Sequence, residues 1–202
     1  MAIVIVRHGE TALNAARVVQ PKDTPLNERG VAQAQRLAER LATTRISSVL
    51  CSDLERTRMT CAPLLAATGL TAEYSPLLRE RDFGVWCGTP YDELTVDLFG
   101  PDYDPPEGES WDVFHERVER AYRLIAAHAQ GLPGDLVVIT HGWVVRRLVT
   151  HYGAPEAGTE WPPIWFNTGV STLAAEPPHS VASFNCIRHL QAENGPRGIS
   201  GL

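Results

Sequence analysis

Long apolar runs are missing from this chain. No stretch approaches the roughly 20 apolar residues needed to span a bilayer. The opening run AIVIV (residues 2–6) is too short for a secretion signal and has no basic residues before it. A membrane-spanning helix is therefore not expected, and a cytoplasmic setting is. Cysteine is scarce as well. Cys51, Cys61, Cys87 and Cys186 show no CxxC spacing, which excludes a zinc knuckle or a dithiol redox pair; they read as buried thiols without chemistry. Positive charge is in deficit, with 18 Lys and Arg against 24 Asp and Glu and a formal net charge of −6. That balance argues against nucleic acid or an anionic membrane as partner, yet permits a local cationic pocket. His115, His128, His151, His179 and His189 have no mutual spacing of metal ligands, so they read as structural, and neither metal nor cofactor is expected.

What is present is an ordinary globular composition, 44% hydrophobic and 21% charged over 202 residues. Residues 2–6 are continuously apolar, the pattern of a strand buried on both faces. GVAQAQRLAERLATT (30–44) places Val31, Ala34, Leu37, Ala38, Leu41 and Ala42 at helical spacing. SSVLCS (47–52) predicts a strand, 56–68 a helix closed by Gly69, and TAEY (71–74) a third strand. After a loose region, Ser110 is placed to cap a long helix ended by Gly131 and Pro133. DLVVIT (135–140) is again fully apolar, WVVRRLVTHY (143–152) is helical, and VSTLAA and SVASFN read as late strands. Strands alternating with helices predict an α/β three-layer sandwich, a mostly parallel central sheet with helices on both faces. One domain over 1–191 is expected, with a cap-like insertion around 89–109 and a flexible tail at 192–202.

In such sheets ligands bind beyond the carboxyl ends of the strands. The first strand ends at Arg7-His8. The second strand ends at Ser52-Asp53 and runs on to Arg56. The strand at 135–140 ends at His141-Gly142. Arginines and histidines delivered to one edge suit a phosphate, whose oxygens accept forked guanidinium bonds. Gly9 and Gly142 would let the backbone approach it. A neutral imidazole there can attack phosphorus, provided its other ring nitrogen donates elsewhere. Cys51 does not support a cysteine-based alternative, because the required arginine six positions on is Thr57.

RHGETALN (7–14) resembles the phosphohistidine signature of the histidine phosphatase superfamily, also called phosphoglycerate mutase-like. DTPLNERGVAQAQ, SDLERTRMT, LLRERDFGVWCG and VVITHGWVVR are similar to its later blocks, in the same order, and FNCIRHL resembles its closing strand. The resemblance implies that His8 is the nucleophile and that Arg7, Arg56 (rather than Arg58) and His141 are its phosphate partners. It puts Asn14 at the pocket edge and Glu80 as proton donor; Gly142 joins the substrate-binding set beside His141, and Arg79 and Arg81 are expected to face away, since inward they would oppose protonation of Glu80. Glu109 in GES matches a motif found near the site, and Trp143 is placed to shape its entrance. Pro21 departs from the pattern, which carries glycine there, and removes an amide donor.

A metal-independent phosphomonoester hydrolase acting on a phosphorylated small molecule is the resulting expectation. RERDFG, and an acidic stretch after Gly88 without paired arginines, favour it over a phosphoglycerate-type mutase. A phospho-ligand binding protein without catalysis is the third reading, and the oligomeric state, a homodimer included, is left open.

Overall fold

The computed structural model describes residues 1–190; the expected tail at 192–202 lies outside the described residues. Six strands form one sheet: β1 (Ala2–Arg7), β2 (Ile46–Ser52), β3 (Ala72–Ser75), β4 (Asp135–Thr140), β5 (Val170–Ala174) and β6 (Val181–Cys186). Their order is β3-β2-β4-β1-β5-β6. The first four in that order run parallel, β5 runs antiparallel to β1, and β6 antiparallel to β5.

Because successive strand residues point to opposite faces, the uninterrupted apolar runs serve two cores at once. Ile3, Ile5, Leu136 and Val138 face one layer, where they meet Phe114, Val118 and Ile125 of α4 (Trp111–Ala129) and Val144 and Val145 of α5 (Gly142–Arg147). Val4, Val6, Val137 and Ile139 face the other, against Leu37 and Leu41 of α2 (Glu28–Leu41) and Cys61 and Leu64 of α3 (Glu55–Thr68). Each such fully buried aliphatic side chain stabilises the fold by about 1.5–3 kcal/mol.

The local signals set most boundaries. Asn27 caps α2 by accepting the Gly30 N–H at 2.8 Å, and Ser110 caps α4 by accepting the Val113 N–H at 3.2 Å. Two expectations shift. Val31 is 48% exposed rather than in the core, and Gln33 is buried instead, because its Oε1 accepts the Glu10 N–H at 2.8 Å. The helix after β4 does not stay α-helical: from Leu148 to Tyr152 it widens into a π turn.

Two close approaches require glycine. A Cβ on Gly30 would lie 2.0 Å from the Glu10 carbonyl oxygen, and one on Gly9 2.7 Å from that of Gly30. Gly9 is therefore needed for the packing of the first loop onto α2. That loop is held further by the Glu10 carboxylate, which accepts from Asn27 at 3.0 Å and Arg29 at 3.1 Å. A third cluster lies over the strand ends, where Val19, Phe83 and Leu98 pack with Tyr91, Phe99, Tyr103 and Trp143. It comes largely from the segment 83–103, which carries only short 3-10 turns.

Candidate active site

The ends of β1, β2 and β4 lie side by side, since β1 pairs with β4 and β4 with β2. Arg7, His8, Arg56 and His141 are each 2% exposed or less. Arg7, His8, Arg56 and Glu80 border one small cavity, together with Val19, Gln20, Phe83 and Tyr91. The His141 ring adjoins it, its centroid 5.2 Å from that of His8.

His8 is held in one orientation. Its Nδ1–H donates to the Gly9 carbonyl at 2.7 Å, which leaves Nε2 as the ring's free acceptor. The Gly9 N–H donates to Thr60 Oγ1 at 2.9 Å, and that hydroxyl donates to the Arg56 carbonyl at 2.6 Å. Burial, reinforced by the Arg56 and Arg7 charges, holds the His8 imidazole well below its usual range, so it is neutral at physiological pH. His141 is depressed in the same way, by burial first and then by Arg56 and His8. Its Nε2 lies 2.9 Å from Ser52 Oγ, and its buried Nδ1 has no protein partner. Ser52 Oγ also accepts weakly from the Leu54 N–H at 3.5 Å, so its own proton is available to His141 Nε2. With the Ser52 hydroxyl donating to Nε2, His141 carries its hydrogen on Nδ1 and is a donor there.

The two guanidinium groups are anchored at one end and unpartnered at Nε. Arg7 Nη1 donates to the Trp165 carbonyl and Arg56 Nη1 to the Pro21 carbonyl at 3.0 Å, while neither Nε has a protein acceptor. Pro21, which has no N–H to offer, thus aims Arg56 through its carbonyl. Burial pushes Arg56 down to about 10, still charged at neutral pH.

Glu80 is fixed by two backbone amides, accepting from Arg81 N–H at 3.1 Å and Trp143 N–H at 3.3 Å. Burial raises its pKa, and those two hydrogen bonds with the Arg7 and Arg56 charges oppose the rise. Its flanking arginines face away. Arg79 forks onto Asp53 at 2.7 and 2.5 Å. Arg81 donates to the carbonyls of Glu109, Leu98 and Tyr103 and lies 3.7 Å from the Trp111 ring centroid.

Gly142 sits between partners, as a Cβ there would lie 3.5 Å from Arg7 Nε and 3.6 Å from Glu80 Oε2. Asn14 stands one step back: its Oδ1 accepts at 3.2 Å from Asn167, which also donates to the His8 carbonyl at 3.0 Å. Glu109 is engaged elsewhere, clamping Arg117 at 2.7 and 2.6 Å while Arg117 holds the carbonyls of Leu77, Arg79 and Glu80. Trp143 contributes its amide to Glu80, and its ring packs on Phe99 and Trp111. Sequence reasoning missed Ser52, Thr60, Tyr91 and Asn167, which join the site only through contacts across the fold. Among the described residues no group of three His, Cys, Asp or Glu is placed to hold a metal ion. No helix among them is long and apolar enough to cross a membrane.

A model of the histidine phosphatase superfamily (branch 1) matches residues 3–185. The chain belongs to that superfamily. Among solved structures, the alpha-ribazole phosphatase of Shigella flexneri superposes with a TM-score of 0.78 at 25% identity, covering 92% of this chain and 96% of that one. A mycobacterial glucosyl-3-phosphoglycerate phosphatase, solved with VO3, gives 0.70 at 26% identity over 86% and 92%. The phosphoglycerate mutase of Thermus thermophilus gives 0.69 at 29% identity over 93% and 99%. A curated relative from Yersinia pestis named "Probable phosphoglycerate mutase GpmB" is 40% identical over 112 residues, which is 55% of this chain. The match spans 47% of the length of that relative.

Proposed function

We propose that this member of the histidine phosphatase superfamily is a phosphomonoester hydrolase that works through a phosphohistidine on His8 and without a metal. The observation that carries the reading is the His8 Nδ1–H bond to Gly9, which leaves a neutral Nε2 in a cavity shared with two arginines and Glu80. Arg7, Arg56, the His141 Nδ1–H and the backbone at Gly142 bind the phosphoryl oxygens and stabilise their charge as they move. Asn14 supports the edge of this pocket through Asn167. The Nε2 lone pair attacks phosphorus, the P–O bond breaks, and the leaving oxygen takes the Glu80 proton. Water then attacks the phosphohistidine and gives its proton to the Glu80 carboxylate. The P–N bond breaks, and phosphate leaves with His8 and Glu80 restored.

The segment around 89–109 serves as the cap in this reading, covering the strand ends with its aromatic cluster. A phosphorylated small molecule in the cytoplasm is the intended substrate, with neither nucleic acid nor membrane as partner, in keeping with the net charge of −6. Quenching a labelled substrate into alkali tests the scheme, because a phosphoramidate survives base and is lost in acid. Label is expected on the peptide containing residues 8–14, with label and turnover both lost in His8→Ala. Activity kept by His8→Ala means that water attacks directly.

A phosphoglycerate-type mutase is the second reading, carried by the relatives and the Thermus structure that bear that name. Given 3-phosphoglycerate and 2,3-bisphosphoglycerate, a hydrolase releases inorganic phosphate. Isomer exchange without release establishes the mutase.

A further inference from the structure

The phosphate cavity adjoins a wider one of about 350 Å³, and the two share Gln20, Arg56, Glu80 and Phe83. A group leaving beside Glu80 has this second cavity next to it. Its volume falls at the low end of small-molecule sites, enough for a group of sugar size. The wall is rich in cations, and apart from Arg56, which belongs to the phosphate pocket, each is already committed. Lys22 Nζ lies 2.7 Å from Asp82 Oδ2. Arg79 is forked onto Asp53, and Arg117 onto Glu109. Arg81 is spent on three backbone carbonyls.

We infer that this second cavity selects an uncharged, hydroxyl-bearing leaving group, as in sugar and polyol phosphates, and rejects one bearing a carboxylate or a second phosphate. The inference rests on the hydrolase reading. A substrate carboxylate drawn to Lys22, Arg79 or Arg117 meets the carboxylate that already holds it, and Glu107 adds like charge. A hydroxyl loses nothing there, since it both donates to a carboxylate and accepts from an ammonium. The Lys22–Asp82 pair is the gate most open to change, because Lys22 is 63% exposed and its partner lies on the opposite loop.

Glycerol 3-phosphate and 3-phosphoglycerate make the test, since they differ only by a hydroxymethyl against a carboxylate. The wild-type ratio of kcat/KM is expected to favour glycerol 3-phosphate by about tenfold or more. Asp82→Asn, which frees the Lys22 cation, is expected to narrow that ratio by about threefold or more. Lys22→Gln, which removes the cation and leaves the Asp82 carboxylate unpaired, is expected to leave it as wide or wider. Ratios within one variant cancel general damage to the site. Equal use of both substrates by the wild type overturns the inference, and so does a ratio narrowed as much by Lys22→Gln as by Asp82→Asn. Failure to release phosphate from p-nitrophenyl phosphate overturns the hydrolase reading itself, and this inference with it.

Discussion

Replacing Glu80 by glutamine removes the transferable proton and one of two backbone hydrogen bonds. The glutamine carbonyl can keep one of the two backbone bonds, from Arg81 at 3.1 Å or Trp143 at 3.3 Å. Its amide faces the other N–H, so the side chain stays near its place but has nothing to give. An alkoxide is a poor leaving group and needs that proton as the P–O bond breaks, whereas p-nitrophenolate is a weak base and needs far less help. General acids contribute about 10²–10⁴ in rate, or about 3–5 kcal/mol of barrier. Glu80→Gln is expected to lose that much on an alkyl phosphate, and only about tenfold or less on p-nitrophenyl phosphate. Single-turnover kinetics isolates the chemical step.

The pH profile gives a second readout. Burial raises the Glu80 pKa, so the acid form persists above the ordinary glutamate range and is depleted as pH climbs through the raised value. Alkyl phosphate turnover is expected to decline across that interval in the wild type and to lose the decline in the variant. The opposing limb lies far to the acid side, because His8 must be neutral to attack and is held well below its usual value. Equal losses on both substrates refute the reasoning and make Glu80 an anchor for the phosphoryl group or the loop. Neither neighbour is then ready to replace it, with Asp82 tied to Lys22 and Glu109 to Arg117.

Activity is expected to survive exhaustive chelation and to be inhibited by vanadate; loss with EDTA that magnesium or zinc restores refutes the metal-free scheme. Ser52→Ala is expected to lower kcat by about three- to tenfold and to shift His141 from the Nδ1–H tautomer toward a mixture in nitrogen NMR, since one hydrogen bond at 2.9 Å sets it. A wild-type His141 protonated on Nε2 contradicts that assignment. Gly30→Ala is expected to cost about 1–3 kcal/mol in urea unfolding, because the new Cβ meets the Glu10 carbonyl at 2.0 Å. An unchanged midpoint means that α2 and the first loop are not so closely packed.

The sequence by itself determined the layered α/β fold and the edge that carries the site. The short, β-branched apolar runs at 2–6 and 136–139 read as strands covered on both faces, and Arg7-His8 and Thr140-His141 follow at their ends. The helix cap at Ser110 acts within three residues, so it is a local fact of the chain. Tertiary structure decided what depends on distant partners. The five-residue helix α1 (Ala12–Ala16) is too short for periodicity to register, and is fixed by a capping box between Thr11 and Asn14. β5 turns antiparallel because it pairs beside β1, which no residue within it specifies. RERD reads as an exposed charged face, yet Arg81 is buried, since carbonyls at 98, 103 and 109 and the Trp111 ring replace its water. Ser52, Thr60, Tyr91 and Asn167 carry no local mark of function. They reach the site only when the strand ends are brought together, because a hydrogen bond between residues 52 and 141, or 8 and 167, exists only in the folded chain.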